Sequence, residues 1–327
     1  MTELFDRRVF LQLGNQKTAQ NYEDFRIRFS VEKTLKREPN SATIEVYGLN
    51  RVSIAQYLAA DRDLRVRLFA GHRTGAPALL FDGFPVKKDG LVFEATGAER
   101  VLKIKAKDGQ RRYERARVNL TLGQETTLED VLAECASALG LPIDTIDAPP
   151  DVRLTQGTTL SGRPTEILDQ LALSSRADWS IQDGKFQFLQ KRGRRSNGEG
   201  DLFSHELGNY VGAPRRREKG VEVTAILQGS IVPGSLFRLQ SKDGTYDGDY
   251  KCQEVKYTGD NFYDNDFYAV IYGLPYERAD DVARASAATI ARIQDSVGDA
   301  LVSFGQSLGS ILDPNYTGPP PPNDFGQ

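Results

Sequence analysis

Apolar and polar residues alternate along most of this chain, most regularly between residues 25 and 49. Phe25, Ile27, Phe29 and Val31 alternate with Arg26, Arg28 and Ser30; Ala42, Ile44 and Val46 alternate with Thr43, Glu45 and Tyr47. A period of two gives each strand one apolar and one polar face. The pattern predicts strands at 25–31 and 42–46, antiparallel neighbours in a one-sided sheet, joined by a charged connection from Glu32 to Asn40 with a turn at Pro39-Asn40. Further short strands are predicted at 9–13, 64–70, 79–86, 91–95, 102–106 and 118–122, punctuated by Gly71, Gly75, Gly83, Gly90 and Gly109. Short strands at such spacing imply a barrel or sandwich. One amphipathic helix interrupts them at 50–58, with Ile54, Tyr57 and Leu58 on one side.

Around Thr126 the period lengthens. Thr126 and Glu129 fit a capping box, Leu128, Val131, Leu132, Cys135, Ala136 and Leu139 fall at helical spacing, and Gly140 ends the run. A second helix is predicted from Pro164, burying Ile167, Leu168 and Leu171. Trp179 and Ile181, then Phe186 and Phe188, read as a hairpin turning at Asp183-Gly184. Residues 192–220 read as a loop rich in Arg, Gly and Ser, and strand signals return at 221–227, 236–239, 250–255 and 267–271. From 277 to 312, Ile290, Ile293, Val297, Ala300, Phe304 and Ile311 form a helical stripe that calls for a partner, and the tail carries Pro319 to Pro322. The expected fold is therefore mainly β (α+β overall). It has a first β-barrel domain at 1–122, a small α+β module at 123–191, a linker and second β-barrel at 192–276, and a helix with a proline-rich tail at 277–327.

Composition narrows the function classes. With 42 basic and 45 acidic residues among 327, the net charge of -3 gives no bulk electrostatic case for nucleic-acid binding. Cys135 and Cys252, far apart in sequence, argue against a disulfide framework and for a reducing compartment of assembly. The opening MTELFDRRVFLQLG lacks a long apolar core and is not expected to be a signal peptide, and no apolar run approaches the roughly 20 residues of a membrane span.

Candidate chemistry is sparse. Asp260, Asn261, Asp264, Asn265 and Asp266 cluster hard oxygen ligands of the kind calcium takes, but not at EF-hand spacing, and Asp and Asn equally favour turns. His72 and His205, both read as loop residues, have no zinc-site spacing with the two cysteines. Cys135 falls on a buried helix face, and Trp179 reads as a core anchor. The basic runs Arg192 to Arg195 and Arg215 to Arg217 lack the aromatic interleaving of a base-stacking platform and suit a solvated loop or an acidic protein neighbour. No phosphate loop or dinucleotide fingerprint occurs. The expectation is a protein that is not an enzyme, with no catalytic, cofactor-binding or metal-ligating residue.

Four segments carry a resemblance. EKTLKREPNSA precedes a strand that closes on Tyr47-Gly48-Leu49-Asn50; Ala78 to Gly83 forms a strand ending in a turn; Leu160 to Arg163 leads into a helix and then Trp179 to Gly184; Gly248 to Lys251 runs on to Asp260 and to Phe267-Tyr268. In this order and spacing the chain resembles the central baseplate hub of tailed bacteriophages, a family similar in turn to the base of type VI secretion spikes. The resemblance spans residues 9–274. It implies two related β-barrel domains per chain and a homotrimer whose six barrels meet a sixfold tail tube on one side and a threefold spike on the other. It also implies a virion location in the tail baseplate, assembly in the host cytoplasm, and DNA only in transit through the channel. The implied partners are tail tube or distal tail proteins, the spike, and tape measure and baseplate wedge proteins. The rival readings are a cell-wall hydrolase and a peptidoglycan-binding tail component built on 123–190.

Overall fold

The computed structural model describes residues 7–14, 19–60, 64–72, 76–96, 99–109, 116–149, 152–153, 157–191, 193–195, 200–262 and 266–276. The helix and proline tail read at 277–327 lie outside them. The strands in the first third are β1 (Arg7–Gly14), β2 (Ala19–Tyr22), β3 (Ile27–Thr34), β4 (Ser41–Tyr47), β5 (Arg65–His72), β6 (Ala78–Pro85), β7 (Leu91–Thr96) and β8 (Glu99–Lys107), with α1 (Arg51–Ala60) between β4 and β5. The middle holds β9 (Val118–Leu122), α2 (Leu128–Ala138), β10 (Ile143–Asp147), β11 (Thr158–Gly162), α3 (Pro164–Ser174), β12 (Ala177–Gln182) and β13 (Lys185–Gln190). The last stretch is β14 (Asp201–Ser204), β15 (Tyr210–Arg217), β16 (Gly220–Ile226), β17 (Leu236–Gln240), β18 (Gly248–Asp260) and β19 (Phe267–Pro275).

The alternating pattern is realised where it was strongest. β3 and β4 pair antiparallel with Ile27 opposite Val46, Phe29 opposite Ile44 and Val31 opposite Ala42, and all six side chains are buried. β3 starts two residues later than the pattern suggests. The Asn261 side chain accepts from the Ile27 amide and donates to the Phe25 carbonyl, taking the place of a ladder partner, and Phe25 is only half-buried. At its other end β3 runs on to Thr34, into the segment read as a charged connection, so Lys33 continues the inward series Ile27, Phe29, Val31 and is 1% exposed. On α1, Ile54 and Tyr57 are buried but Leu58 is exposed, so the apolar face is narrower than expected.

The mainly-β class stands, but the arrangement of the strands differs from two separate barrels. Fourteen strands form one sheet whose main path runs β15-β16-β19-β18-β3-β4-β8-β6-β5-β1-β2; β17 joins β18 and carries β14, and β7 pairs with β8. Among the described residues this path has two ends and does not close. The early and late strands meet at a seam in which β18 lies antiparallel to β3, with Thr258 opposite Ser30 and Gly259 opposite Phe29. One hydrophobic cluster accordingly runs from Leu11 and Leu68 through Ile27, Ile44 and Ile104 to Val223, Leu239 and Ile271. At roughly 1.5–3 kcal/mol for each large side chain fully buried, this shared core is reason enough for the two halves to fold as one.

The chain groups into two compact units. The first comprises Met1–Gln110, Ser180–Gln187 and Arg192–Arg278 and contains the large sheet; the described part of the second lies in Arg111–Trp179 and Phe188–Lys191. Within the second unit β9 pairs with β11 alone, not with the large sheet, and α2 packs on α3. The α2 cap sits one residue beyond the expected pair. The Thr127 hydroxyl accepts from the Asp130 amide while the Asp130 carboxylate accepts from the Thr127 amide, and Thr126 donates its hydroxyl to the Gly123 carbonyl instead. Trp179 is 3% exposed and its indole donates to Asp169 at 2.9 Å, as a core anchor does. The stretch 192–220, read as loop, contains β14 and β15. Residues 201–209 hold together because the Asn209 side chain accepts from the Ser204 amide and donates to the Leu202 carbonyl.

Candidate functional site

The sequence candidates for chemistry do not converge. Cys135 is fully buried on α2, where burial pushes its thiol up to about 12, so it carries no thiolate at neutral pH. Cys252 is equally buried on β18, its thiol raised by burial and then by Glu254, and both cysteines are free. Of the acidic cluster, Asp260 is 0% exposed and binds Arg26, its amide donates to the Asp266 carbonyl, Asn261 clamps β3, and 263–265, with Asp264 and Asn265, lie outside the described residues. Among the described residues no group of three or more His, Cys, Asp or Glu is placed to hold a metal. No helix among them is long and apolar enough to cross a membrane.

His205 lies in the turn after β14, but His72 belongs to strand β5 rather than to a loop. Among the described residues neither buried ring nitrogen of His72 has a hydrogen bond of good geometry, the Leu227 backbone being its nearest polar neighbour, and the ring meets Phe267 edge-on at 5.4 Å. Burial lowers its pKa and the facing Arg7 adds to the effect, opposed in part by the nearby Leu227 backbone. A histidine with a lowered folded-state pKa binds fewer protons folded than unfolded, so its contribution is intact above the ordinary imidazole range of about 6.5 and is lost as pH falls through it. Urea denaturation at pH 7.5 and 5 should therefore show lower stability at pH 5, and His72→Phe should flatten that dependence.

Two features remain that are built rather than incidental. The first is the sheet edge at β15. Its pairing to β16 is interrupted between Val211 and Arg215, and Pro214 lies inside the irregular stretch. A bulge, a proline and arginines are the devices that keep an open edge from pairing indiscriminately. Arg217 is tied down by Glu222, Glu254 and the Tyr272 ring, whereas Arg215 and Arg216 are exposed and have no ion-pair partner among the described residues. Leu202, Leu207 and Val211, in the adjoining 201–211 stretch, are exposed. Of the two basic runs, this one lies on a strand; in the other, Arg192 is outside the described residues and the Arg195 amide donates to the Gly234 carbonyl.

The second feature is a cluster of buried polar groups in the first unit, around the turn of the β12–β13 hairpin. Lys33 Nζ donates to both carboxylate oxygens of Asp183 at 2.7 Å. Asp183 and Gly184 have φ of 53° and 76°, the left-handed pair that a tight two-residue hairpin turn needs. The Gly184 amide donates to Asp108 Oδ2 at 3.3 Å, and Asp108 is 2% exposed. Asn40 donates to the Ile181 carbonyl and the Gln182 side chain, and Gln182 donates to the Thr34 carbonyl. Sequence reasoning placed the turn correctly and missed the charge beneath it. The inward series Ile27, Phe29, Val31 was the signal that would have found Lys33.

Comparison with known proteins separates fold from sequence. No family model and no curated protein matches the sequence. Solved structures do match. The 43 kDa tail protein of prophage MuSo2 from Shewanella oneidensis aligns with TM-score 0.55 and 12% identity over 81% of this chain and 96% of that one. The tail protein from Neisseria meningitidis MC58 aligns with TM-score 0.56 and 9% identity over 84% and 97%. This is a phage tail-protein fold. The tail-protein fold extends to secretion machinery. The E. coli c3393 protein, a type VI secretion component described as structurally similar to the T4 tail proteins gp27 and gp5, aligns with TM-score 0.52 and 10% identity over 81% of this chain and 77% of that one. The expected likeness to tail hub proteins and spike bases thus holds at the level of the fold.

Proposed function

We propose that the chain is a structural, non-enzymatic component of a phage-type tail: a homotrimeric hub that adapts a sixfold tube to a threefold spike and forms part of the ejection channel. The observation that carries this reading is the match to two tail proteins over 96% and 97% of their length, which covers whole proteins and not one shared module. In this reading the β regions at 1–122 and 192–276 are the two quasi-equivalent tube-facing parts of each subunit. Residues 123–191 form an accessory module, and 277–327 reach a neighbouring tail component. Three chains then present six similar β regions to the tube. The open ends of the large sheet suit such an assembly, because a heterologous contact repeated around an axis buries edges that a monomer leaves free.

Native mass spectrometry of the purified protein is expected to give three copies, and a density map of the tail particle three copies around the axis. Six copies in a uniform ring would overturn the two-regions-per-chain argument. The charged edge offers a second check. Arg215→Glu with Arg216→Glu should leave the melting temperature within about 2 °C, since exposed substitutions of this kind cost about 0.5 kcal/mol or less. The same change should reduce incorporation into particles by tenfold or more, roughly the 1.4 kcal/mol that charge reversal removes from a contact with an acidic neighbour. Incorporation at the wild-type level would exclude β15 as a contact edge.

A further inference from the structure

The buried cluster around Lys33 supports more than an ion pair. We propose that Lys33 and Asp183 form an intramolecular isopeptide bond, with Asp108 as the neighbouring acid–base group. The two groups to be joined are already in direct hydrogen-bond contact: Lys33 Nζ lies 2.7 Å from each Asp183 carboxylate oxygen. The site is dry on the amine side: the Lys33 side chain is 1% exposed and that of Asp183 19%. Its geometry is fixed from both sides, by the left-handed Asp183-Gly184 turn and by the Asn40 and Gln182 bonds that tie the hairpin to β3 and the chain after it. A second carboxyl is present, that of Asp108, which accepts from the amide directly after Asp183.

The Asp108 carboxyl is pushed up to about 8, first by burial and then by the Asp183 charge, so it holds its proton at neutral pH. The proposed step begins with transfer of one proton from the Lys33 ammonium to the Asp183 carboxylate that it contacts. The step then balances without an oxidant or a co-reactant. The neutral Lys33 amine attacks Asp183 Cγ and the Nζ–Cγ bond forms. The Asp108 carboxyl donates its proton to the departing oxygen and receives one from Nζ, the Cγ–O bond breaks, and one water leaves. Asp108 ends as it began.

Such a link would join β3 of the large sheet to the tip of the β12–β13 hairpin, closing a loop of 150 residues between the linked positions. A cross-link over so long a loop removes more unfolded-state entropy than one over a short loop in the chain-entropy picture, which suits a part that bears load during ejection.

The test is the intact mass of the full-length chain, measured under denaturing conditions after purification and prolonged incubation. The expected result is a species lighter than the sequence by one water. Its tryptic digest should contain residues 29–36 joined to residues 177–185, with no cleavage after Lys33. Lys33→Met should show the mass of its own sequence. Asp108→Asn replaces a neutral carboxyl by a neutral group of the same shape; it should retain the wild-type circular dichroism and slow link formation by about 10²-fold, the lower end of what a positioned acid–base group supplies. An unreduced mass in the folded wild-type chain would overturn the proposal and leave a buried ion pair only. Linking at the wild-type rate in Asp108→Asn would overturn the role given to Asp108. Neither outcome depends on the tail-hub reading, which the copy number tests separately.

Discussion

Gly259→Val is expected to destabilise the protein by about 3 kcal/mol, the upper end of what overpacking costs, with a matching fall in the urea midpoint. Gly259 sits on β18 at the seam, opposite Phe29 of β3 on one side and Phe267 of β19 on the other. The two rings close over it edge-to-face at 6.3 Å. A Cβ placed there would lie 2.5 Å from Phe29 Cζ and 2.9 Å from Phe267 Cδ2, and both rings are buried. The glycine is therefore the gap that lets both aromatics cover the seam. Phe29→Ala alone should also be costly, about 3–5 kcal/mol. Combined with Gly259→Val it should cost less than the sum of the single changes, by about 1–2 kcal/mol, because it removes the ring the valine meets. Strict additivity would show that the seam is not packed as described.

Asp260→Ala should be of similar size, about 3 kcal/mol, by guanidinium denaturation. The carboxylate is 0% exposed, accepts from Arg26 Nε at 3.1 Å and Nη2 at 2.8 Å, and also accepts from the Phe262 amide at 2.9 Å. Removing one partner of a buried pair commonly costs about 3–5 kcal/mol. The lower value applies because the Arg26 side chain is 30% exposed and water can take over part of its solvation. Arg26→Ala should cost more than Asp260→Ala, since it strands the fully buried member and also removes the stacking of the guanidinium over the Tyr47 ring at 4.8 Å. The reverse order would mean that solvent reaches Asp260.

These seam residues mark the limit of what the sequence makes legible. Local alternation found β3 and β4, and helical spacing found the buried face of α2, because each depends on residues close together in the chain. The cap was displaced by one residue because Thr126-x-x-Glu129 and Thr127-x-x-Asp130 both satisfy the same pattern; Thr127 takes the role, leaving the Thr126 hydroxyl to the Gly123 carbonyl. β15 was read as loop because it has little alternation. It is an edge strand exposed at most positions, with Gly212, Pro214 and three arginines in eight residues. The order of strands in the sheet is a long-range property, and two β stretches separated by a helical module looked like two barrels. Nothing periodic in either stretch says that Ser30 will lie opposite Thr258. The buried cluster was half legible: its turn, Asp183-Gly184, follows from residue type, while Lys33 was masked by the charges around it.

The same seam dictates a timetable. β3 finds one neighbour, β4, within a few residues, but its other neighbour, β18, is among the last described strands to be made. At roughly 5–20 residues per second, the ribosome needs about 8–30 s to travel from the end of the first strand group near Asp108 to Asp260. Throughout that interval one side of β3, with its unpaired backbone and the uncovered ring of Phe29, has no partner from the rest of the chain. Yield of the folded chain should depend on the speed of translation between these two points more than on the final stability of the sheet.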